Sequence, residues 1–428
     1  MQDYLAAADP LLRFQSALGL AAFCAIAWIF SEDRARFPLR MAFGATAFQI
    51  VTASALLYTP GARDALAYLN TVVASLQNAA NKGGAFVFGY VGGGATPFDV
   101  TDESALFILG FQGLPLVIFI SALSALLWHL GVLRMMVGAF AALLERAFGV
   151  GGAVSLATAA NVLMGQTEAP LLIRAYLNKL TRSEFFVVMT GGLATVAGSV
   201  MVLYSVILGP VSPSALGHVL VASIISAASA ILMARIMVPP EKNETPTDVS
   251  AGDDLKYAGA MDAFMSGVTE GLKLYLNILA CLFCFVAMAA LINICLSALG
   301  PIGGEAVTLE RLFGFLFAPL VWLAGVPASE SLAAGALMGE KTALNELIAY
   351  VSLAETPDGV LSERTELIMV YAMCGFASFG SLGIIVGGLT AIAPDRRKDV
   401  LDLGPRALVS GTLATLMSGS VIGLVWVG

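Results

Sequence analysis

The chain has 428 residues, 58% hydrophobic and 12% charged, with a formal net charge of −8. A soluble domain carries about 25% charged residues, so a water-exposed globular fold is excluded, and the acidic balance gives no support for nucleic acid as a partner. Runs with almost no charge recur from end to end, as at 105–133, 185–208 and 272–294, each near or above the ~20 residues that cross a bilayer as helix. Ala, Leu, Met and Gly dominate them without the alternation a lipid-facing barrel needs, which points to an all-α integral membrane protein.

In chain order, a first span at 11–30 follows an acidic start (Asp3, Asp9), so it reads as a retained helix and not a cleaved signal. Arg34, Arg36 and Arg40 mark the next loop as cytoplasmic, which places the N-terminus outside, in the periplasm. A span at 41–58 leads to 59–82, too polar to cross, with Leu66, Leu69, Val72, Val73 and Leu76 spaced as one helical face along the interface. A Gly-rich stretch at 83–94 precedes a span at 105–133. An interrupted apolar region at 153–176 comes next, then spans at 185–208 and 216–237. The polar stretch at 239–262 divides the chain nearly in half. Beyond it lie spans at 271–296 and 312–324, a second interrupted region at 329–351, a span at 368–392, a basic loop around Arg396, Arg397 and Lys398, and a last span at 407–427.

Each half thus holds a broken, acid-bearing segment followed by a long Gly- and Ala-rich helix, and paired discontinuous segments point to a transporter's midplane binding site. Glu168 and Glu346 are the carboxylates at membrane depth, where an ionisable group is costly unless it is paired or faces water. Both sit beside amides or hydroxyls, Gln166, Thr167 and Asn345; the alternative role for each is to cap a half-helix. Phe376, Ser378 and Ser381 place an aromatic beside hydroxyls within two turns, the mixture that an aromatic, hydroxylated solute needs. Asn161 is either a hydrogen bond between helices or an oxygen ligand for a hard monovalent cation. The five cysteines lie in apolar stretches and read as packing residues, and the two histidines stand far apart, against a His-based metal site. GALMGEKT at 335–342 fails as a phosphate-binding loop on spacing and on Glu340, so ATP hydrolysis is rejected.

The sequences GQTEAPL at 165–171, KTALNELIAY at 341–350 and CGFASFGS at 374–381 together resemble the concentrative nucleoside transporters, and LFGFLFAP at 312–319 and GVP at 325–327 extend the likeness. The resemblance implies about eight transmembrane helices and two re-entrant hairpins in inverted repeats. It also implies scaffold and transport domains in a homotrimer, moving as an elevator within the lipid bilayer of a cell inner membrane. On that plan 1–150 holds the N-terminal spans, an interfacial helix and a scaffold helix. Residues 151–238 hold the first hairpin and its following spans, 239–262 the linker, 263–328 the central spans, and 329–428 the second hairpin and final spans. The nucleobase then falls to Gln166, Thr167, Glu168, Val200 and Leu274, and the ribose to Glu346, Phe376, Ser378 and Ser381. Sodium, the coupling ion, falls to Asn161, Thr195 and carbonyls around Met164 and Val196. Ser378 stands where the family usually has Asn, and Gly380 where it often has Ser, which bears on the preferred sugar. The expected function is a sodium-coupled nucleoside symporter and not an enzyme. A proton-coupled carrier of another hydroxylated or aromatic metabolite is the nearest alternative, with an intramembrane enzyme or a channel beyond it.

Overall fold

The computed structural model describes residues 10–101, 106–166, 168–209, 211–212, 214–240, 257–301 and 306–426; Thr167 lies outside them. Among the described residues there is helix and no strand. Three helices open the chain, α1 Pro10–Ile29, α2 Leu39–Tyr58 and α3 Pro60–Phe88. The last is started by Pro60, whose missing N–H costs nothing at a helix's first position, and Val73, Leu66, Leu69 and Leu76 are its face toward the core. A π-turn at Leu109–Gly113 precedes α4 Leu116–His129, and α5 Val132–Phe148 is set off by Gly131 and Gly149, both at positive φ where a Cβ is disfavoured.

From α5 onward the chain builds one pattern twice. In the first half α6 Gly152–Leu163 ends at a non-helical tip, a short 3-10 turn Ala169–Ile173 and the turn Arg174–Leu177 return alongside it, and α7 Arg182–Ala194 begins. A capping box fixes that start: Glu184 N–H donates to Thr181 Oγ1 at 3.2 Å and Thr181 N–H donates to Glu184 Oε2 at 2.9 Å. After a break come α8 Gly198–Ile207 and the long α9 Ala215–Met237. In the second half α10 Ala260–Ser297 leads to α11 Leu309–Ala324. Then α12 Ser331–Ala343 ends at a tip and α13 Glu346–Ala354 returns, followed by α14 Glu363–Met373, a break, α15 Phe379–Ile392 and the long α16 Arg397–Val425. With 12 and 13 residues, α6 and α12 reach about 18–20 Å at 1.5 Å per residue, little more than half of a ~30 Å hydrocarbon core.

Three spans differ from their expected form. The apolar runs at 185–208 and 368–392 are not single helices: the first is interrupted at Thr195–Ala197, where Thr195 is extended (φ −117, ψ 169), and the second between Met373 and Phe379. Small residues in these runs let the backbone leave the helix while other backbone approaches, as where a Cβ on Gly198 would stand 2.6 Å from the Leu163 carbonyl. The expected span at 312–324 is a 16-residue helix packed along α12, below the length of a crossing.

Seven stretches among the described residues are long and apolar enough to span a membrane, and they sort by burial. α7–α8, α9 and α16 are 83–94% buried and form the centre, whereas α10 is 6% buried, so its apolar surface faces outward, as lipid contact allows. Basic loops after α1 and before α16 share one end of the molecule. Glu32 accepts from Arg182 at 2.8 Å and from Arg406 at 2.6 Å, and Arg182 also pairs with Asp402.

Candidate functional site

Both tips and both helix breaks converge on one cavity of about 380 Å³, closed on its remaining side by α10. That volume suits a small polar molecule. The first tip contributes Met164, Gln166 and Glu168, and the segment after the first break contributes Val200 and Tyr204. The second tip supplies Leu344 and Glu346; Phe376, Ser378 and Ser381 come from the second break. Leu274 lies on the α10 wall.

Buried acceptors without donors define the chemistry. Gln166 is 8% exposed and its Oε1 has no hydrogen-bond partner; Glu346 is 5% exposed and its Oε2 has none. Buried polar atoms are nearly always satisfied, so these two oxygens, on walls formed by opposite halves, are fitted to hydroxyl or N–H donors brought in by a ligand. The other carboxylate oxygen of Glu346 accepts from the Tyr204 hydroxyl at 2.5 Å, and the Tyr204 ring meets Tyr350 at 5.0 Å with the rings tilted by 59°. Glu346 also opens α13, whose N-terminus favours a negative charge, while Asn345 caps that helix by accepting from Ile348 N–H at 2.9 Å.

Ser378 is fully buried and its Oγ caps α15 by accepting the Ser381 N–H at 3.2 Å, which leaves its hydroxyl hydrogen and one lone pair for other partners. Gly380 faces the Phe285 ring of α10, which a Cβ would approach to 2.9 Å. This corner of the cavity is therefore more apolar than the serines alone suggest.

Asn161, Thr195 and Val196 are not in the cavity wall but are buried directly behind it, between the first tip and the first break. The Asn161 amide oxygen faces the Gly165 carbonyl and its nitrogen faces the Gly192 N–H; turning the amide over would make bonds of 2.9 and 3.3 Å instead. Thr195 Oγ1 donates to Gly191 O at 2.9 Å, which leaves its lone pairs free. Val196 N–H donates to Ser223 Oγ at 3.2 Å, so α9 holds the break in place.

Sequence reasoning missed Tyr204 and Ser223, and of the α10 wall it named Leu274 alone. Tyr204 stands four residues after Val200, on the same helical face. On α10, Glu270, Lys273, Asn277, Cys281 and Phe285 recur at helical spacing along the cavity, polar at the start of a run read as almost free of charge and apolar further along. Glu270 and Lys273 pair at 2.7 Å, exposed at its mouth.

Family models described as Na+ dependent nucleoside transporter N-terminus and C-terminus match residues 18–91 and 218–423, and one described as Gate, nucleoside recognition, matches 111–211. The chain is 37% identical to an uncharacterized transporter of Haemophilus influenzae, with 96% of this chain and 97% of that one covered. It is 33% identical to the nucleoside permease NupC of Helicobacter pylori, with 96% and 97% covered. The chain belongs to the Na+-dependent nucleoside transporter family. Its fold is similar to the solved structure of CNTnw in an inward-facing substrate-bound state, with a TM-score of 0.86 and 35% identity over 96% of this chain and 97% of that one. Members of this family are permeases and cotransporters, and the chain is a multi-pass membrane transporter, not an enzyme.

Proposed function

We propose that the chain is a sodium-coupled symporter that imports nucleosides across a cell inner membrane. The observation that carries this reading is the pair of unsatisfied acceptors, Gln166 Oε1 and Glu346 Oε2, in a cavity walled by the tips of both half-length hairpins. The nucleobase lies against Gln166, Thr167 and Glu168 with Val200 and Leu274, where amide and carboxylate can meet base edges. The ribose lies against Glu346, Phe376, Ser378 and Ser381, with Glu346 accepting from sugar hydroxyls.

Sodium, carried with the substrate, is assigned to Asn161, Thr195 and the backbone carbonyls of Met164 and Val196. Neutral oxygens suit a hard monovalent ion, and the buried Asn161 amide beside the Gly165 carbonyl and the free lone pairs of Thr195 Oγ1 supply them behind the tip. Binding the ion would order the tip that carries Gln166 and Glu168, so ion and nucleoside affinities rise together by linkage. The two hairpins are re-entrant in this reading and the repeats inverted. A buried unit around α7, α9, α14 and α16 moves as an elevator past a scaffold that includes α10, in a homotrimer with the N-terminus periplasmic. The outward apolar face of α10 and the shared end of the two basic loops support that arrangement.

Radiolabelled uridine uptake into proteoliposomes of the purified protein tests it, with an inward sodium gradient or an equal potassium gradient at matched pH. Accumulation above equilibrium in sodium alone is expected. Uptake that follows a pH gradient and ignores sodium would replace the coupling ion, and no uptake in either salt would overturn the substrate class.

A further inference from the structure

Lys341 is fully buried, and its Nζ makes no hydrogen bond among the described residues. A buried ammonium is costly unless an opposite charge compensates it. Glu346 is the carboxylate whose charge reaches it, and the uncharged Cys374 thiol of the second break lies nearby. Glu346 in turn faces Tyr204 from α8 and Lys341 from α12, while Tyr350 from α13 and Cys374 complete the titratable groups around the pair. Glu340, the preceding residue, interacts instead with Ser352 and Glu310.

The backbone places both charges where helix ends favour them. Lys341 lies in the last turn of α12, Glu346 in the first turn of α13, and the chain turns between them at Leu344 (φ −103, ψ −88). A helix C-terminus stabilises a cation and an N-terminus an anion, so two half-helices meeting end to start place opposite charges on either side of one turn without a direct hydrogen bond between them.

The repeat adds an independent observation. Asn161 is the third residue from the end of α6, and Lys341 is the third from the end of α12. Each stands behind its own tip, against the broken helix of its own half: Asn161 against Gly192 of α7, Lys341 against Cys374. Hairpin one therefore has a neutral amide at the position where hairpin two has an ammonium.

We propose that Lys341 is a positioning residue for nucleoside binding: a tethered cation that keeps Glu346 ionised, and so able to accept from the sugar, in the place where the first hairpin uses a free ion. The inference rests on Glu346 being the sugar-binding carboxylate. Without the ammonium, a carboxylate in these surroundings takes up a proton, and the acceptor is lost until the pH rises.

The test is radiolabelled uridine binding to purified protein in detergent between pH 6 and 9, in a double-mutant cycle of Lys341→Met and Glu346→Gln. Wild-type binding at neutral pH establishes the nucleoside reading by itself; its absence would overturn that reading. Lys341→Met is expected to weaken binding at least tenfold at neutral pH and to regain affinity as the pH rises, a pH dependence the wild type lacks. In the Glu346→Gln background, Lys341→Met should change binding less than about threefold, and the double variant should melt above the Glu346→Gln single, which leaves the ammonium uncompensated. That last comparison stands even where Lys341→Met alone fails to fold. Equal costs in both backgrounds with an unchanged pH profile, or a double variant that melts below the single, would overturn the proposal.

Discussion

Gly375, in the second helix break, lies so close to Ala194, the last residue of α7, that a Cβ on it would stand 2.8 Å from the Ala194 carbonyl oxygen. The same Cβ would meet Thr415 Cγ2 of α16 at 2.7 Å. The two breaks therefore cross in direct contact, and each half of the chain fixes where the other half unwinds.

Replacing Gly375 by Ala should force these elements apart. Overpacking of this kind costs about 1–3 kcal/mol, and Phe376, the next residue, lines the cavity. The variant is expected to melt at lower temperature in detergent and to bind uridine more weakly by calorimetry. A normal melting point with normal affinity would mean that the crossing tolerates a methyl group and does not set the site.

Tyr204→Phe removes the donor that holds Glu346 at 2.5 Å. Hydrogen bonds to charged groups contribute about 1.5–3 kcal/mol, equivalent to roughly tenfold to a hundredfold in affinity at 1.4 kcal/mol per decade. The loss should appear for uridine and be smaller for a 2′,3′-dideoxynucleoside, which lacks the 2′- and 3′-hydroxyls that the displaced carboxylate would miss. Equal losses for both ligands would place the effect on folding of the site and not on the sugar contact.

The carboxylates at the tips were legible because charge is scarce in this chain, and Glu168 and Glu346 stand out in apolar surroundings. The two-fold pattern followed from them. The breaks were not legible: the residues at 191–198 and 374–381 contain no proline, and Gly, Ala, Ser and Thr serve close helix packing and helix interruption equally well. Packing decided between the two, as at Gly198 and Gly375. Lys341 was visible in a failed phosphate-loop match and as the first residue of the 341–350 motif, but its distance in sequence from Cys374 and Tyr204 hid the cluster it belongs to.

Cys281 lines the cavity, whereas Cys284, one turn further along α10, is exposed on another face, and Cys24 and Cys374 are buried. In a variant with the other four cysteines replaced by Ser or Ala, a small methanethiosulfonate should modify Cys281 and block uridine binding. Uridine at ~10 times its Kd should slow that reaction about tenfold, since only the free protein reacts. Labelling that is fast and indifferent to uridine would remove α10 from the substrate wall.

Asn161→Ala tests the coupling between ion and substrate without altering the cavity wall. The Asn161 side chain is buried behind the first tip, where its amide, turned over, bonds Gly165 O at 2.9 Å and Gly192 N–H at 3.3 Å and so ties the tip to α6 and α7. Coupling between two ligands is typically about 1–3 kcal/mol, or 5–150-fold in affinity, and the alanine variant loses the amide that would serve both the ion and the tip. Uridine affinity of the variant in saturating sodium is expected to fall to the value that the wild type shows in potassium, with no further change when sodium is withdrawn. A variant whose uridine affinity still rises with sodium as steeply as the wild type's would move the ion site away from Asn161. One that binds uridine normally in both salts would sink the claim that the ion organises the tip.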